Sequence, residues 1–552
     1  MAFIETKIIR GRPYYYLVKM GRVNGQPRKV KTVYLGTGET LLARLNERAA
    51  PTEALRLKSY PFGKAAALLR TATELNFVET VDHYCRKRSS GGLTVGQHLL
   101  LAILARAHEP WSKAATGRWF DRECFLKFRW SPSHPVNAYN LLGNLRRLAE
   151  VPVQRRIEEA FTRTLVQRGL RPSTLFWDVT NHSNFGEEGE NPPRPGHAKD
   201  HRYDLNLVST GLVVTGDHVP LLHETLPGNC DEYDVFSQAV DALTVRLTRL
   251  EMEPSEMILV MDRGANSTEN LAKAVDLMHV VGCVPSQMVP DLFELDLEHF
   301  TPLHVTESDH PLLGYLCRRE LYEREWNVAV TYNTATAARK EAAYRKYEAR
   351  FVERIQKLKA GYERTKGRPL GYSTATAEAA ELVHDPYRTV FRYTISENPR
   401  QLTWEVNEEA KARLHRRFGK RVFFSDLDLD AAAMARAYEG RYRVEQDFRW
   451  MNGGEMMPLV PLFVRKDDSI RAHAFLVVMG LLLWRLTFAK VREAKIGEGE
   501  GEVLEALEEL RLTLVADQKR GQVRSGRWVV EQHDELAERL YRKLGLEAEI
   551  PA

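Results

Sequence analysis

Cysteine is scarce and never clustered: Cys85, Cys124, Cys230, Cys283 and Cys317 stand singly, with no CxxC pair. That pattern excludes a zinc framework and a disulfide scaffold, and it fits a reducing cytoplasm. Long apolar runs are also lacking. The longest uncharged one, Ala474 to Trp484, is flanked by Arg471, His473 and Arg485. It is about half of the roughly 20 residues that a bilayer span needs, so it predicts a buried helix and no membrane span. The first residues, Met1-Ala-Phe-Ile-Glu-Thr-Lys, have no apolar core of the kind a signal peptide carries, and no export is expected. Nor is there a strong net charge: 79 Lys plus Arg against 74 Asp plus Glu leave only +5 over 552 residues.

The distribution of that charge says more than its sum. Residues 1–36 hold eight basic side chains (Lys7, Arg10, Arg12, Lys19, Arg22, Arg28, Lys29, Lys31) and one acid, Glu5, so the rest of the chain is close to neutral. A basic end on a neutral body commonly meets a polyanion. Charged residues at 28% and apolar residues at 43% are ordinary globular values, and they exclude wholesale disorder.

The punctuation of the chain predicts six segments. Residues 1–60 read as a basic β-meander, with Tyr14, Tyr15, Tyr16 and Tyr34 among the lysines and turns at Arg10-Gly11, Gly21 and Asn24-Gly25. A cross-strand tyrosine cluster and a nucleic-acid surface are equally compatible with that pattern. Residues 61–170 repeat apolar positions at helical spacing and carry scattered cations (Arg106, Lys113, Arg118, Lys127, Arg129, Arg146, Arg147), which suggests a helical DNA-binding region. Residues 171–289 run strand, strand, strand, helix, strand, helix, which predicts a mixed sheet with helices packed on it. Residues 290–425 interrupt that core with strand-like pieces around a long charged helix, 335–366; residues 426–495 return to it with a helical unit, 429–451, and the buried helix. Residues 496–552 form a helical, then mixed, C-terminal segment.

Three carboxylates fall at chemically useful places. Asp178 closes the first strand of the core, Asp262 closes the fourth, and Glu445 lies in the helical stretch Tyr438-Glu-Gly-Arg441-Tyr-Arg-Val-Glu445. Each alone is ordinary. Groups at strand ends gather at one sheet edge, and a helix beside that edge can add a third acid. Three clustered carboxylates repel one another unless a cation neutralises them, and hard oxygen donors favour Mg²⁺ or Mn²⁺ over zinc. Two such ions suit in-line phosphodiester chemistry.

In these stretches the chain resembles the DDE transposases of bacterial insertion sequences, in the insertion-sequence-four superfamily whose third-acid helix carries Y-x2-R-x3-E-x6-K. The insertion-sequence-sixteen-thirty-four-like subgroup is the nearest likeness. The resemblance rests on Trp177-Asp178-Val179-Thr180, on Met261-Asp262-Arg263-Gly264 with Glu269-Asn270-Leu271, and on Tyr438, Arg441 and Glu445. Supporting matches are Lys199-Asp200 with Asp204-Leu205, Pro227-Gly228-Asn229 with Asp231, Pro461 to Val464 before Ile470 to His473, and Tyr15-Tyr16, Arg22-Val23, Gly25 and Leu35-Gly36.

The resemblance implies an α/β catalytic core: an RNase H-like mixed sheet with flanking helices, interrupted by an α+β insertion, behind helical and small β N-terminal regions. It implies that Asp178, Asp262 and Glu445 hold Mg²⁺, with Mn²⁺ as a possible substitute. It further implies cleavage at the inverted repeats of the protein's own element, strand transfer into target double-stranded DNA, and a homodimer in the reaction, in the cytoplasm of a bacterium and on its nucleoid. Tyr438 and Arg441 would contact phosphates at the element end; the alternative for Arg441 is an intrahelical pair with Glu445. The family lysine falls on Asn452, and Arg449, on the face of Glu445, is a substitute cation. Trp326 and Trp404 are candidates for stacking a flipped base, or core aromatics. A nuclease that does not join strands and a DNA-binding protein without catalysis are the alternative functions.

Overall fold

The computed structural model describes the chain except residues 1, 10–11, 24–25, 47–54, 86–91, 110–111, 131, 133, 187–192, 199–201, 304–311, 454–455, 460–461, 463, 520–521, 532 and 552. Arg10-Gly11, Asn24-Gly25, Lys199-Asp200, Pro461 and Phe463 therefore lie outside the described residues.

Strands β1 (Ala2–Ile9), β2 (Arg12–Val23) and β3 (Gln26–Thr37) form the expected antiparallel meander. Gly21, expected to break a strand, instead lies within β2 opposite Arg28, where it clears space for Val30. Strand β4 (Leu55–Pro61) does not join this meander. It pairs with β16 (Arg511–Lys519), itself paired with β17 (Gln522–Val530), so residues 55–61 belong with the C-terminal segment.

The centre is a nine-stranded sheet made of β5 (Thr174–Asn184), β6 (Asn206–Thr215), β7 (Pro220–Pro227), β8 (Ile258–Met261), β9 (His279–Cys283), β10 (Thr301–Leu303), β11 (Leu312–Leu321), β12 (Arg324–Asn333) and β15 (Lys420–Ser425). Its order is β10-β11-β12-β15-β9-β8-β5-β6-β7. β5 runs antiparallel to β6 and β6 to β7, whereas β8 is parallel to β5 and β9 to β8; β15 returns antiparallel. The whole is a mixed α/β architecture. Strands β5 to β9 are buried along most of their length because both faces of the sheet are covered, and β8 is apolar throughout. β5 is longer than the sequence pattern predicts: Asn181 to Asn184 continue it rather than forming the loop, paired with β6 to the end.

The expected 290–425 interruption divides. Its strands β10, β11, β12 and β15 extend the central sheet, and only the stretch between β12 and β15 has a core of its own. There Tyr344, Phe351, Ile355, Leu358 and Tyr362 make one stripe of the helix Thr334–Tyr362, packed against Phe391 and Leu402 of the hairpin β13 (Phe391–Ser396) and β14 (Gln401–Val406).

The helix Asp467–Glu493 lies between the sheet, at β7, and the N-terminal helices Gly63–Glu74 and Val95–His108. Among the described residues it is the one helix long and apolar enough to cross a membrane, and 83% of its most apolar stretch is buried in the protein. Its central turns, Ala474 to Trp484, are apolar on every side, which is what a core position requires. Glu158 ties the helical region to the sheet by bonding Arg246 at 2.7 Å and the His223 ring of β7.

Candidate active site

The parallel register pairs Trp177 of β5 with Met261, the last residue of β8. Asp178 and Asp262 are the next residues on neighbouring parallel strands, so both carboxylates sit at one sheet edge. Asp178 lies where the parallel pairing stops, within β5 rather than at its end. Beyond Asp262 the chain turns through Arg263–Ala265, with Asp262 Oδ1 accepting the Arg263 N–H at 2.7 Å. Gly264 brings the turn close to Glu232: a Cβ there would stand 2.3 Å from its Oε2, so that side chain would have to shift. Asn270 pins the turn by donating to the carbonyl oxygens of Tyr233 and Ala265.

The stretch 429–451, expected as a single helical unit, is two helices, Ala431–Glu439 and Tyr442–Gly453, bent at Gly440-Arg441. A Cβ on Gly440 would lie 2.5 Å from the Phe176 ring of β5, so glycine lets the bend press against the sheet next to Asp178. The bend places Tyr438, Arg441 and Glu445 on the same side as the two aspartates. The Tyr438 hydroxyl donates to Asp262 Oδ1 at 3.1 Å. Arg441 Nη1 is 3.0 Å from Asp262 Oδ2 and 3.6 Å from Asp178 Oδ2, and its Nη2 is 2.6 Å from Glu445 Oε1.

One guanidinium thus touches all three acids. The pair with Glu445 does form, but it is one arm of a contact across three segments. Burial alone would weaken the Arg441 charge; Tyr438, Asp262, Asp178 and Glu445 outweigh it and hold its proton more firmly than usual. Burial, helped by Cys283 and Asp262, pushes the Tyr438 phenol up, so it stays protonated and remains a donor.

Asp178 is buried, whereas Glu445 is 44% exposed and faces an open cleft of about 360 Å³ whose wall includes Thr180, Phe448, Arg449 and Asn452. Arg449 is exposed on its rim. Asn452 is exposed too, and its side-chain oxygen accepts from His182 Nδ1 at 2.6 Å. His182 was not among the expected site residues. The alternation of β5 could have found it, since 178, 180 and 182 share one face of a strand.

As a donor set, three carboxylates suit a hard divalent cation. Arg441 supplies the positive charge between them here, and among the described residues no group of three or more His, Cys, Asp or Glu stands in metal-ligand geometry. The donors fit Mg²⁺ or Mn²⁺ in kind, and taking the ion would require the guanidinium to swing aside.

Other expected residues serve the fold. Asp231 caps the helix Glu232–Arg249, Asp204 pairs with Arg202 at the surface, and Trp326 is buried with its indole N–H on the Leu321 carbonyl. Trp404 is half-buried beside Tyr393, across the β13–β14 pair. In the helical region Arg106 donates to the Pro458 carbonyl, Lys113 meets His473 at 3.0 Å, Arg129 pairs with Glu549 and Arg146 with Asp468. These four cations have partners within the chain, and Arg129 and Arg146 stay about two-fifths exposed in theirs. On the meander, Tyr16 and Tyr34 do form a cross-strand cluster, their centroids 5.2 Å apart, with the Lys7 ammonium 5.0 Å from the Tyr16 ring.

The chain matches no protein-family model and no curated protein.

Proposed function

We propose that the protein is a DDE-type DNA transposase, which binds the terminal inverted repeats of its own insertion sequence, cleaves there and transfers the strand ends into target DNA. The observation that carries the reading is the convergence of Asp178, Asp262 and Glu445, from three segments with 182 residues separating the last two, on the single Arg441 guanidinium. A supporting feature is the order β7-β6-β5-β8-β9, three antiparallel strands followed by two parallel to the first, which is the arrangement of RNase H-like cores.

Asp178, Asp262 and Glu445 would hold the divalent ions, which when bound supply an activated water or 3′-hydroxyl and stabilise the leaving oxygen. Tyr438 fixes the Asp262 carboxylate by its hydrogen bond. Arg441, with its planar fork, passes from the acids to a phosphate oxygen as the substrate enters, and Arg449 offers a second cation at the rim. Two element ends imply a homodimer in the reaction, on the bacterial nucleoid in the cytoplasm.

Incubating the full chain with element-end DNA, target DNA and Mg²⁺ tests this. Joined product is expected, and Asp178→Ala, Asp262→Ala and Glu445→Ala should each abolish it while leaving end binding nearly intact. Nicks without joining would leave a nuclease; neither product at any metal concentration would leave a binding protein only.

A further inference from the structure

A second cleft, of about 760 Å³, opens from Asp262 and Glu445 toward β15 and the helix Thr334–Tyr362. Its wall carries Arg263, Lys340 and Arg421, from three separate segments, and the 53% exposed ring of Tyr442. Other cations on that wall are engaged: Lys420 donates to the Phe293 carbonyl at 2.9 Å, and Arg417 lies 3.8 Å from Glu294. Among the described residues Arg263, Lys340 and Arg421 take part in no ion pair. Burial, then repulsion from Arg421 and Arg339, depresses the Lys340 ammonium below its usual value. Glu439 also lines the cleft but takes part in no ion pair with these three among the described residues; converging cations are stabilised by an anion, and Asp262 and Glu445 put the acids and the basic wall in one continuous space.

We propose that this cleft is a track for an unpaired DNA strand, in which Arg263, Arg421 and Lys340 hold successive phosphates beside the scissile one and Tyr442 stacks a base at the entrance. The inference rests on the DNA-processing reading above. A cationic groove with an aromatic platform is the usual means of holding single strands.

Fluorescence anisotropy with the full chain tests it, comparing a blunt duplex with the same duplex carrying a short single-stranded extension, over a range of salt. The wild type should bind the extended DNA more tightly. Lys340→Gln/Arg421→Gln should lose that advantage while keeping its affinity for the blunt duplex, and its salt slope on the extended DNA should fall by about 1.4, for two phosphates at about 0.7 each. Tyr442→Ala should weaken the extension's contribution by about fivefold or more. Lys357→Gln, about 25 Å further along the same helix, should change nothing. Wild-type protein that gains nothing from the extension, or a double variant that keeps both advantage and slope, overturns the track alone. Wild-type protein that binds neither DNA overturns the DNA reading and the track with it.

Discussion

Arg485, on the buried helix Asp467–Glu493, pairs with Asp447, two residues beyond Glu445, and neither side chain is exposed to solvent at all. The same guanidinium reaches Glu500 at 2.9 Å and lies 3.7 Å over the Trp450 ring. The helix carrying the third acid is therefore fastened to the core by charge as well as by packing. Removing one member of a buried pair typically costs about 3–5 kcal/mol when the other is left without a partner; Arg485 keeps Glu500, so the loss of Asp447 should cost less, about 2–3 kcal/mol. Asp447→Asn should lower the unfolding free energy by an amount of that order, read as a lower urea midpoint at unchanged slope, and Asp447→Leu/Arg485→Met should recover part of it. An unchanged midpoint in the single variant would show that Arg485 does not depend on Asp447.

β6, β7, β8 and the first half of β5 could be read from the chain because each is an apolar-rich run closed by turn residues or an acid, whereas the polar second half of β5 and the strands β9 and β15 go unread in the sequence. Gln401–Val406 is a strand with the boundaries its pattern predicts. What could not be read were relationships without local sequence cause. β4 pairs with β16 across more than four hundred residues, and no periodicity within either strand names its partner. The bend at Gly440 is hidden because apolar spacing continues through it; only the approach to Phe176 gives glycine a reason to be there. Arg441 looked like a choice between Glu445 and a phosphate because sequence spacing shows only neighbours along a helix. The two aspartates that complete its contacts come from other strands.

Glu158 gives a pH-dependent contribution to stability. Burial would raise its carboxyl, but Arg246 and His223 outweigh it and hold the folded-state value below the ordinary 4.5. The unfolded chain therefore binds more protons in that range, so the stabilisation is present above about 4.5 and is lost as pH falls through the lower folded value. Glu158→Gln should flatten the acid limb of a stability-versus-pH curve relative to wild type. Parallel curves for the two proteins between pH 5 and 3 would assign the acid sensitivity elsewhere.

On the proposed reading, Arg441 and a divalent ion compete for the same carboxylates. Arg441→Gln removes the charge that holds Asp178, Asp262 and Glu445 together and leaves three acids to repel one another. Mn²⁺ titration by calorimetry or electron paramagnetic resonance should therefore show tighter binding, by about tenfold if one ion-pair contact of about 1.4 kcal/mol no longer has to be broken. Cleavage should fall despite the better metal affinity, since the phosphate contact goes too. Weaker metal binding in the variant would mean that Arg441 arranges the acids for the ion instead of standing in its place.

Asn452 sits where the resembling family carries lysine, seven residues beyond Glu445, on an exposed stretch of the same helix. Its carbonyl oxygen accepts from His182, four residues beyond Asp178 on β5, so the pair links the third-acid helix to the first-acid strand. Asn452→Lys should therefore do two opposing things. Loss of the acceptor for His182 should cost about 1 kcal/mol of folding stability, the usual net value of one hydrogen bond. An added ammonium on the path toward the acids should steepen the salt dependence of duplex binding by about 0.9 in log–log slope, one phosphate's worth. Thermal unfolding reads the first effect and anisotropy against salt reads the second. A destabilised variant with an unchanged slope would make Asn452 a tie between helix and strand and place the DNA path elsewhere, along Arg449 and Arg441.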